Sequence, residues 1–244
     1  MPFTFSHPAV ILPFSKYQRY FSLTALIFGS ISPDFEYFIR FQIKSTVSHT
    51  LSGIFIFNLP LVFLLSYLFH RIIKKQFIKH LPKPFDSWFK IIADRDWSIY
   101  SFSKLFIFIY SALLGILSHI LWDSFTHIDG FFVAQIPLLN AILAWNIPMY
   151  KILQHFSTLT GLIIILVFLY KIRNKSIIQT LVRSIEKIKY WGILSLLMVS
   201  VYSSALFFHN FYMNIGNFLV SIISSFLVAT LILSFLTNIA SKNR

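Results

Sequence analysis

The chain has 244 residues, of which 57% are hydrophobic and only 12% are charged. A soluble globular domain usually carries about 25% charged residues, so this composition argues against a water-soluble domain. The formal net charge is +13, but the basic residues stand in short runs between apolar segments, as in the cytoplasmic loops of membrane proteins, and this excludes a nucleic-acid-binding face. The absence of cysteine excludes thiolate zinc sites, iron–sulfur clusters and disulfides.

The N-terminal part contains two short apolar runs, residues 8–15 and 20–32. A spanning helix needs about 20 mostly apolar residues, so the second run is too short to span comfortably. Two alternatives remain. Either residues 20–32 cross the membrane, or the two runs form a helical hairpin that places His7 beside Asp34. The hairpin is the favoured alternative.

Five longer apolar stretches follow, and each approaches the length that a membrane-spanning helix needs. They cover residues 51–69, 105–122, 156–170, 191–208 and 218–236. The sequence therefore predicts an all-α fold, a polytopic helical membrane bundle of five or six helices with a polar pocket at its outer end.

Lys and Arg residues indicate the orientation of these spans. Eight of them lie in residues 71–104 and six in residues 171–189, and with five spans both segments fall on one side, which the positive-inside rule assigns to the cytoplasm. Residues 123–155 contain a single base, Lys151, and fall outside. A multi-pass protein of the cell membrane is predicted, with membrane lipids as partners and anionic head groups near the basic loops.

The strongest functional motif is HILWDSFTH, in which His119, Asp123 and His127 recur every four residues. On an α-helix this spacing stacks the three side chains along one face. Imidazole and carboxylate groups suit zinc and similar divalent metals. Polar residues at the end of a spanning helix are the competing interpretation, but three coordinating side chains in register favour a metal site.

Further candidates lie near the ends of other apolar runs. Asp34 and Glu36 follow Pro33, which disfavours continued helix before it, so they are either a simple helix stop or groups that can ligate a metal or act as a general base. His49 and His155 each lie where a predicted span begins. Each alone would be an ordinary boundary residue, but both lie on the same predicted side as the HILWDSFTH motif.

Other catalytic patterns are not found in the sequence. It has no Gly-x-Ser-x-Gly elbow, Gly-rich phosphate loop or His-Glu-x-x-His helix. Hydroxyl groups near the histidines are therefore interpreted as donors that orient the imidazole rings. They belong to Ser124, Thr126, Ser157 and Thr158.

The sequence resembles a bacterial family of membrane proteins, domain of unknown function 4184. Five segments carry the resemblance in the same order, from residue 1 to about residue 161: MPFTFSHPAVILP, ALIFGSISPDFEYF, SHTLSG, GILSHILWDSFTH and LQHFSTLTG. The family is similar to membrane-bound metal-dependent hydrolases and, more distantly, to the zinc-dependent phospholipase C fold. That fold uses an N-terminal tryptophan at its metal cluster, whereas the first tryptophan here is Trp88.

The resemblance implies a metal-site membrane domain over residues 1–161, with residues 162–244 forming the remaining transmembrane helices of the same bundle. His7 enters the set of implied ligands mainly through the resemblance. The full set is His7, Asp34, His49, His119, Asp123, His127 and His155.

These observations together predict an integral membrane hydrolase that uses a divalent metal, zinc above others. The metal would lower the pKa of bound water toward about 7, with Asp34 or Glu36 as general base. The expected substrate is a phosphoester or other ester at the membrane surface, including a lipid head group. Alternatives are a structural metal site, metal-ion transport, or histidines that only line an interface. Transport is disfavoured because the middles of the long spans are nearly free of ionisable residues.

Overall fold

A computed structural model describes residues 3–144, 146–176, 182–208 and 214–242. The chain is 79% helical, and the sheet within the described residues is one antiparallel pair, β1 (Ile142–Ala144) and β2 (Ile147–Pro148). The predicted all-α fold is therefore confirmed.

Short helices form the N-terminal part and several of the connections, and the remaining helices are long and apolar. In chain order they are α1 (Pro8–Ile11), α2 (Leu23–Ile31), α3 (Phe35–Arg40), α4 (Leu51–Lys79), α5 (Phe85–Trp88), α6 (Lys90–Asp94), α7 (Phe102–Thr126), α8 (Phe131–Gln135), α9 (Pro137–Asn140), α10 (Met149–Ile172), α11 (Ser184–Phe208) and α12 (Ile215–Lys242). Helix α4 is continuous, with π-helical turns at Ile54–Asn58 and Phe69–Ile73. Short 3-10 turns occur at Thr4–Ser6, Leu12–Tyr17 and Ser32–Asp34.

Within the described residues, five helical segments are long and apolar enough to cross a membrane. They are Leu51–Lys79, Phe102–Gln135, Met149–Ile172, Ser184–Phe207 and Ile215–Ser241, and each of them matches one of the predicted stretches. The helices extend beyond the apolar runs because polar residues at their ends, such as Lys151 and Gln154 on α10, also adopt helical structure.

The two N-terminal apolar runs pack against each other, as the hairpin alternative predicts. Helix α2 has nine residues and spans about 14 Å, about half of a bilayer's apolar thickness of about 30 Å. Helix α1 packs against α2. Ser22 caps α2 by accepting a hydrogen bond from the Ala25 amide at 3.4 Å, and Pro33 lies in the 3-10 turn that follows.

The chain divides into two compact units. The first contains the residues up to Phe35, Thr46–Phe63 and Ile99–Ile172. In it α2 packs closely along α7. A Cβ atom added at Gly115 would lie 2.4 Å from the Leu26 carbonyl oxygen, and one added at Gly29 would lie 2.4 Å from the Ala112 carbonyl oxygen. Glycine is required at both positions because it lets the two backbones approach to this distance.

The segment that contains His7 is held against α10 in the same unit. The Phe3 amide donates to Thr158 Oγ1 at 3.0 Å. Gly161 makes room for Ser6, since a Cβ atom there would lie 2.9 Å from the Ser6 Cβ atom. The N-terminal turn is therefore fixed by α10 on one side.

The second unit contains Glu36–Ser45, Leu64–Ser98 and the residues from Arg173 onward. Its apolar core lies between α11 and α12 and contains Tyr190, Leu194, Ala229 and Leu233. A buried ion pair joins Lys187 Nζ to Asp86 Oδ2.

Candidate metal centre

Four acidic and imidazole side chains meet in the first unit. Asp34, His49, His119 and Asp123 each contribute one ligand atom, and these four atoms all lie within 4.8 Å of one another. The 3-10 turn after α2 presents Asp34, the loop before α4 presents His49, and α7 presents the other two. Three separate segments of sequence therefore converge on one point.

The distances between these atoms suit a shared cation. His119 Nε2 lies 3.2 Å from Asp123 Oδ2 and 3.5 Å from Asp34 Oδ1, and His49 Nε2 lies 3.8 Å from each of the same two oxygens. Zinc binds nitrogen and oxygen ligands at about 2.0–2.1 Å, so tetrahedral ligands are separated by about 3.3 Å. The observed separations lie near that value or slightly above it.

Three polar atoms of this cluster and one of the neighbouring His7 are buried without a hydrogen-bond partner among the described residues. They are His7 Nε2, Asp34 Oδ1, His119 Nε2 and Asp123 Oδ1. Buried polar groups are nearly always hydrogen-bonded, and exceptions call for an explanation such as an ion. Four such atoms in and beside the cluster are the strongest indication that the cluster binds something.

A main-chain carbonyl orients His119. Its Nδ1 atom lies 2.7 Å from the Ser30 carbonyl oxygen, which can only accept, so Nδ1 carries the proton and donates. In the neutral ring this leaves the Nε2 lone pair directed into the cluster. Ligating histidines commonly donate their second nitrogen in this way.

A hydroxyl group orients Asp34. Thr4 Oγ1 donates to Asp34 Oδ2 at 2.6 Å and leaves Oδ1 for the cluster. Burial alone would raise the pKa of the Asp34 carboxyl, but the positive charge of a protonated His119 outweighs it and holds that pKa below its ordinary value. A cation bound in the cluster would favour the ionised carboxylate in the same way.

His7 and His127 lie at the second oxygen of Asp123. His7 Nε2 is 3.6 Å and His127 Nδ1 is 3.5 Å from Asp123 Oδ1. The His7 ring stacks on His119 with centroids 3.8 Å apart. Burial and the neighbouring His119 lower the pKa of His7 to about 3, so His7 is a neutral imidazole near pH 7.

The predicted helical stacking of the HILWDSFTH motif is correct for two of its three polar residues. His119 and Asp123 lie on α7, which ends at Thr126. His127 follows the last helical residue, in extended conformation, and its Nδ1 atom lies 3.1 Å from the Asp123 carbonyl oxygen. The helix ends one residue too early for the motif to continue in register.

Four predicted site residues lie outside the group of four: His7 and His127, which lie beside Asp123, and His155 and Glu36. His155 is exposed on α10. Glu36 is buried in the second unit, where its carboxylate accepts hydrogen bonds from Arg40 Nη2 at 2.8 Å and Ser45 Oγ at 3.1 Å. A ligand role for His155 and a catalytic role for Glu36 stay predictions.

The hydroxyl groups that orient the cluster differ from those predicted. Ser124, Ser157 and Thr158 donate to carbonyls of their own helices, so the prediction is wrong for these three. Thr126 Oγ1 lies 3.4 Å from His127 Nδ1. Thr4 was not among the predicted site residues, although it lies three residues before His7.

The fold and the cluster together define a helical protein with five helices of membrane-spanning length and a group of His and Asp residues that could hold a metal ion. The chain belongs to the family described as Domain of unknown function (DUF4184), whose model matches residues 1–235. The match confirms the family resemblance and extends it over α11 and most of α12. Comparisons with curated proteins and with solved structures find no significant match.

Proposed function

We propose that this protein is an integral membrane metal-dependent hydrolase that cleaves a phosphoester or other ester at the membrane surface. The observation that carries the proposal is the convergence of four ligand atoms within 4.8 Å. Asp34, His49, His119 and Asp123 would hold a divalent cation.

The charge balance of the cluster supports a bound cation. Two buried carboxylates need a positive charge, because an uncompensated buried charge is strongly destabilising. A protonated His119 could supply it, and its Nε2 would then donate to a carboxylate. That atom is 3.2 Å from Asp123 Oδ2 yet makes no hydrogen bond of acceptable geometry. Lone pairs directed at a common point explain this arrangement better.

The donor atoms favour zinc among divalent cations. Two imidazoles and two carboxylates form a nitrogen and oxygen set of the kind that zinc accepts, whereas calcium and magnesium prefer oxygen ligands alone. Zinc in this position would act as a Lewis acid toward water or an ester oxygen.

Two groups of the chain are suited to assist the reaction. Of the two predicted general bases, Asp34 lies in the cluster, whereas the Glu36 carboxylate is bound by Arg40. Because Thr4 holds Oδ2, Asp34 could use Oδ1 either as a ligand or as a base, and not as both at once. The His49 side chain is 28% exposed, so solvent or substrate can approach the cluster from this side.

A structural metal site is the second candidate. Four protein ligands complete the tetrahedral shell of a structural zinc ion, whereas catalytic zinc usually has three. The exposure of His49 favours a catalytic metal site, whereas the presence of four ligand atoms favours a structural one. Hydrolytic activity distinguishes the two.

The test begins with elemental analysis of the full-length protein purified in detergent. We expect about one or more equivalents of zinc or a similar metal in the wild type, and a strong loss in His119→Ala and Asp123→Ala. Asp129→Asn is the matched control, since Asp129 is exposed and six residues from Asp123.

The same four proteins are then assayed against para-nitrophenyl esters, phosphate mono- and diesters, and phospholipid vesicles. Metal-dependent turnover that is lost in both cluster variants and kept in Asp129→Asn would support a hydrolase. Bound metal without turnover of any of these compounds would favour the structural site. A wild-type protein that binds no divalent metal would contradict both.

A further inference from the structure

The connection between α7 and α10, residues 128–148, is unusually apolar for a loop. Its 21 residues include one charged side chain, Asp129, and no base. Large apolar side chains nevertheless point outward: Phe131 is 65% exposed, Leu138 59% and Leu143 57%. Exposed apolar groups of this kind mark an interaction surface.

The connection is folded and not extended. Val133 and Leu139 are buried within it, and Asn140 Nδ2 donates to the Val133 carbonyl oxygen at 2.7 Å. Phe132 stacks on Phe125 of α7 with centroids 4.1 Å apart. Helices α8 and α9 therefore each have a buried apolar residue and exposed apolar residues, and in β1 both Ile142 and Leu143 are exposed.

The two ends of the connection fix its position relative to a bilayer. It joins α7 to α10, and both helices belong to segments of spanning length. Exposed apolar residues continue from it onto those helices, with Leu121 on α7 and Phe156 and Leu159 on α10. Exposed apolar side chains are thus present both on the connection and on the ends of the two long helices that flank it.

We propose that the connection is an interfacial segment, which inserts its exposed apolar side chains into one leaflet of the bilayer. The partner is the lipid surface itself, at the boundary of head groups and acyl chains, where the apolar face of an interfacial segment is buried. Water is a poor environment for it because only a few exposed polar side chains, those of Asp129, Gln135, Asn140 and Asn146, accompany the exposed apolar ones. The inference does not depend on metal binding or catalysis.

The absence of cysteine from the chain allows a direct test with single-cysteine variants. Phe131→Cys, Leu138→Cys and Leu143→Cys are labelled with the environment-sensitive fluorophore NBD and reconstituted as full-length protein in phosphatidylcholine–phosphatidylglycerol vesicles. Lys83→Cys, at an exposed position in the basic loop, is the control. Three positions on three elements keep the test valid if one variant fails to fold.

We expect brominated phospholipids to quench the labels at residues 131, 138 and 143 at least twofold more than the label at residue 83. Aqueous iodide should show the opposite order. Iodide quenching at the three positions equal to that at residue 83 would overturn the proposal. Protection from both quenchers, together with thiol cross-linking between copies through residue 143, would also overturn it and assign the surface to a second copy of the chain.

Discussion

At the scale of single residues, two groups outside the four candidate ligands hold the candidate metal centre in position. The Ser30 carbonyl oxygen accepts from His119 Nδ1 at 2.7 Å, and Thr4 Oγ1 donates to Asp34 Oδ2 at 2.6 Å. Each contact occupies the atom that faces away from the cluster and leaves the other for ligation. Groups of this kind typically change metal affinity by about 10–100-fold when they are removed.

Thr4→Val tests this role for the hydroxyl group. The variant keeps the shape of the side chain but leaves Asp34 Oδ2 buried without its donor. We expect zinc affinity to fall by about 10–100-fold and the free energy of unfolding to fall by about 1–3 kcal/mol. Competition with a chromogenic chelator measures the affinity, and thermal unfolding in detergent measures the stability.

Ser118→Ala is the control for this prediction. Ser118 is adjacent to His119, but its hydroxyl group donates to the Gly115 carbonyl oxygen of its own helix. Zinc affinity should therefore stay within about twofold of the wild type. Equal affinities for Thr4→Val and the wild type would show that the hydroxyl group does not hold Asp34 in place.

The sequence predicted all four members of the cluster but not what orients them. Asp34, His49, His119 and Asp123 could be selected because their side-chain chemistry is visible in the sequence. The Ser30 contact could not be predicted, because a main-chain carbonyl is present at every residue and only the packing of α2 on α7 selects this one.

At the scale of the helices, the close packing of α2 against α7 sets the geometry of the candidate metal centre. A Cβ atom on Gly115 would lie 2.4 Å from the Leu26 carbonyl oxygen and 2.8 Å from the Ser30 amide nitrogen. Ser30 provides the carbonyl that binds His119, and α2 leads directly to Asp34. A change in the distance between α2 and α7 therefore moves the Ser30 carbonyl and Asp34 relative to the two α7 residues of the cluster, His119 and Asp123.

Gly115→Ala tests the coupling between helix packing and the metal centre. The added methyl group meets backbone atoms, which cannot rotate away, so α2 must move. We expect the free energy of unfolding to fall by about 1–3 kcal/mol, and zinc affinity to fall although no ligand or orienting side chain has been changed. Thermal unfolding and the chelator competition measure the two effects.

Gly192→Ala is the matched control, because a Cβ atom there would meet nothing within 4 Å. In the middle of α11 this substitution should leave zinc binding unchanged and raise stability by about 0.5–1 kcal/mol through helix propensity. Similar behaviour of the two alanine variants would contradict a special requirement for glycine at residue 115.

The sequence predicted the existence of the long helices better than their ends. Apolar length alone indicated all five, because spanning a bilayer demands it. The end of α7 at Thr126 was not predicted, since the four-residue spacing of the HILWDSFTH motif continues past it to His127. The choice between hairpin and crossing for residues 8–32 depends on tertiary packing of α1 and α2, which hydropathy does not encode.

At the scale of the whole molecule, the distribution of Lys and Arg residues predicts the side of the membrane on which the candidate centre lies. The positive-inside rule assigns the basic segments 71–104 and 171–189 to the cytoplasm. Residues 123–155, with Lys151 as their single base, then lie outside, and so do the polar residues at the end of α7. We propose on this basis that the candidate metal centre faces the extracytoplasmic side.

Single-cysteine accessibility tests this topology, again without interference from native thiols. We expect Lys151→Cys and Asp129→Cys to react with a membrane-impermeant maleimide in intact cells of a bacterial host. Lys83→Cys and Lys175→Cys, in the basic segments, should react only in inverted membrane vesicles. All four positions are exposed, so differences in labelling report the side of the membrane and not burial within the protein.

Labelling of residues 129 and 83 from the same side would contradict an odd number of crossings between the basic loop and the candidate metal centre. Labelling of residues 129 and 151 from opposite sides would show that residues 128–148 cross the membrane, and it would separate His127 from the start of α10.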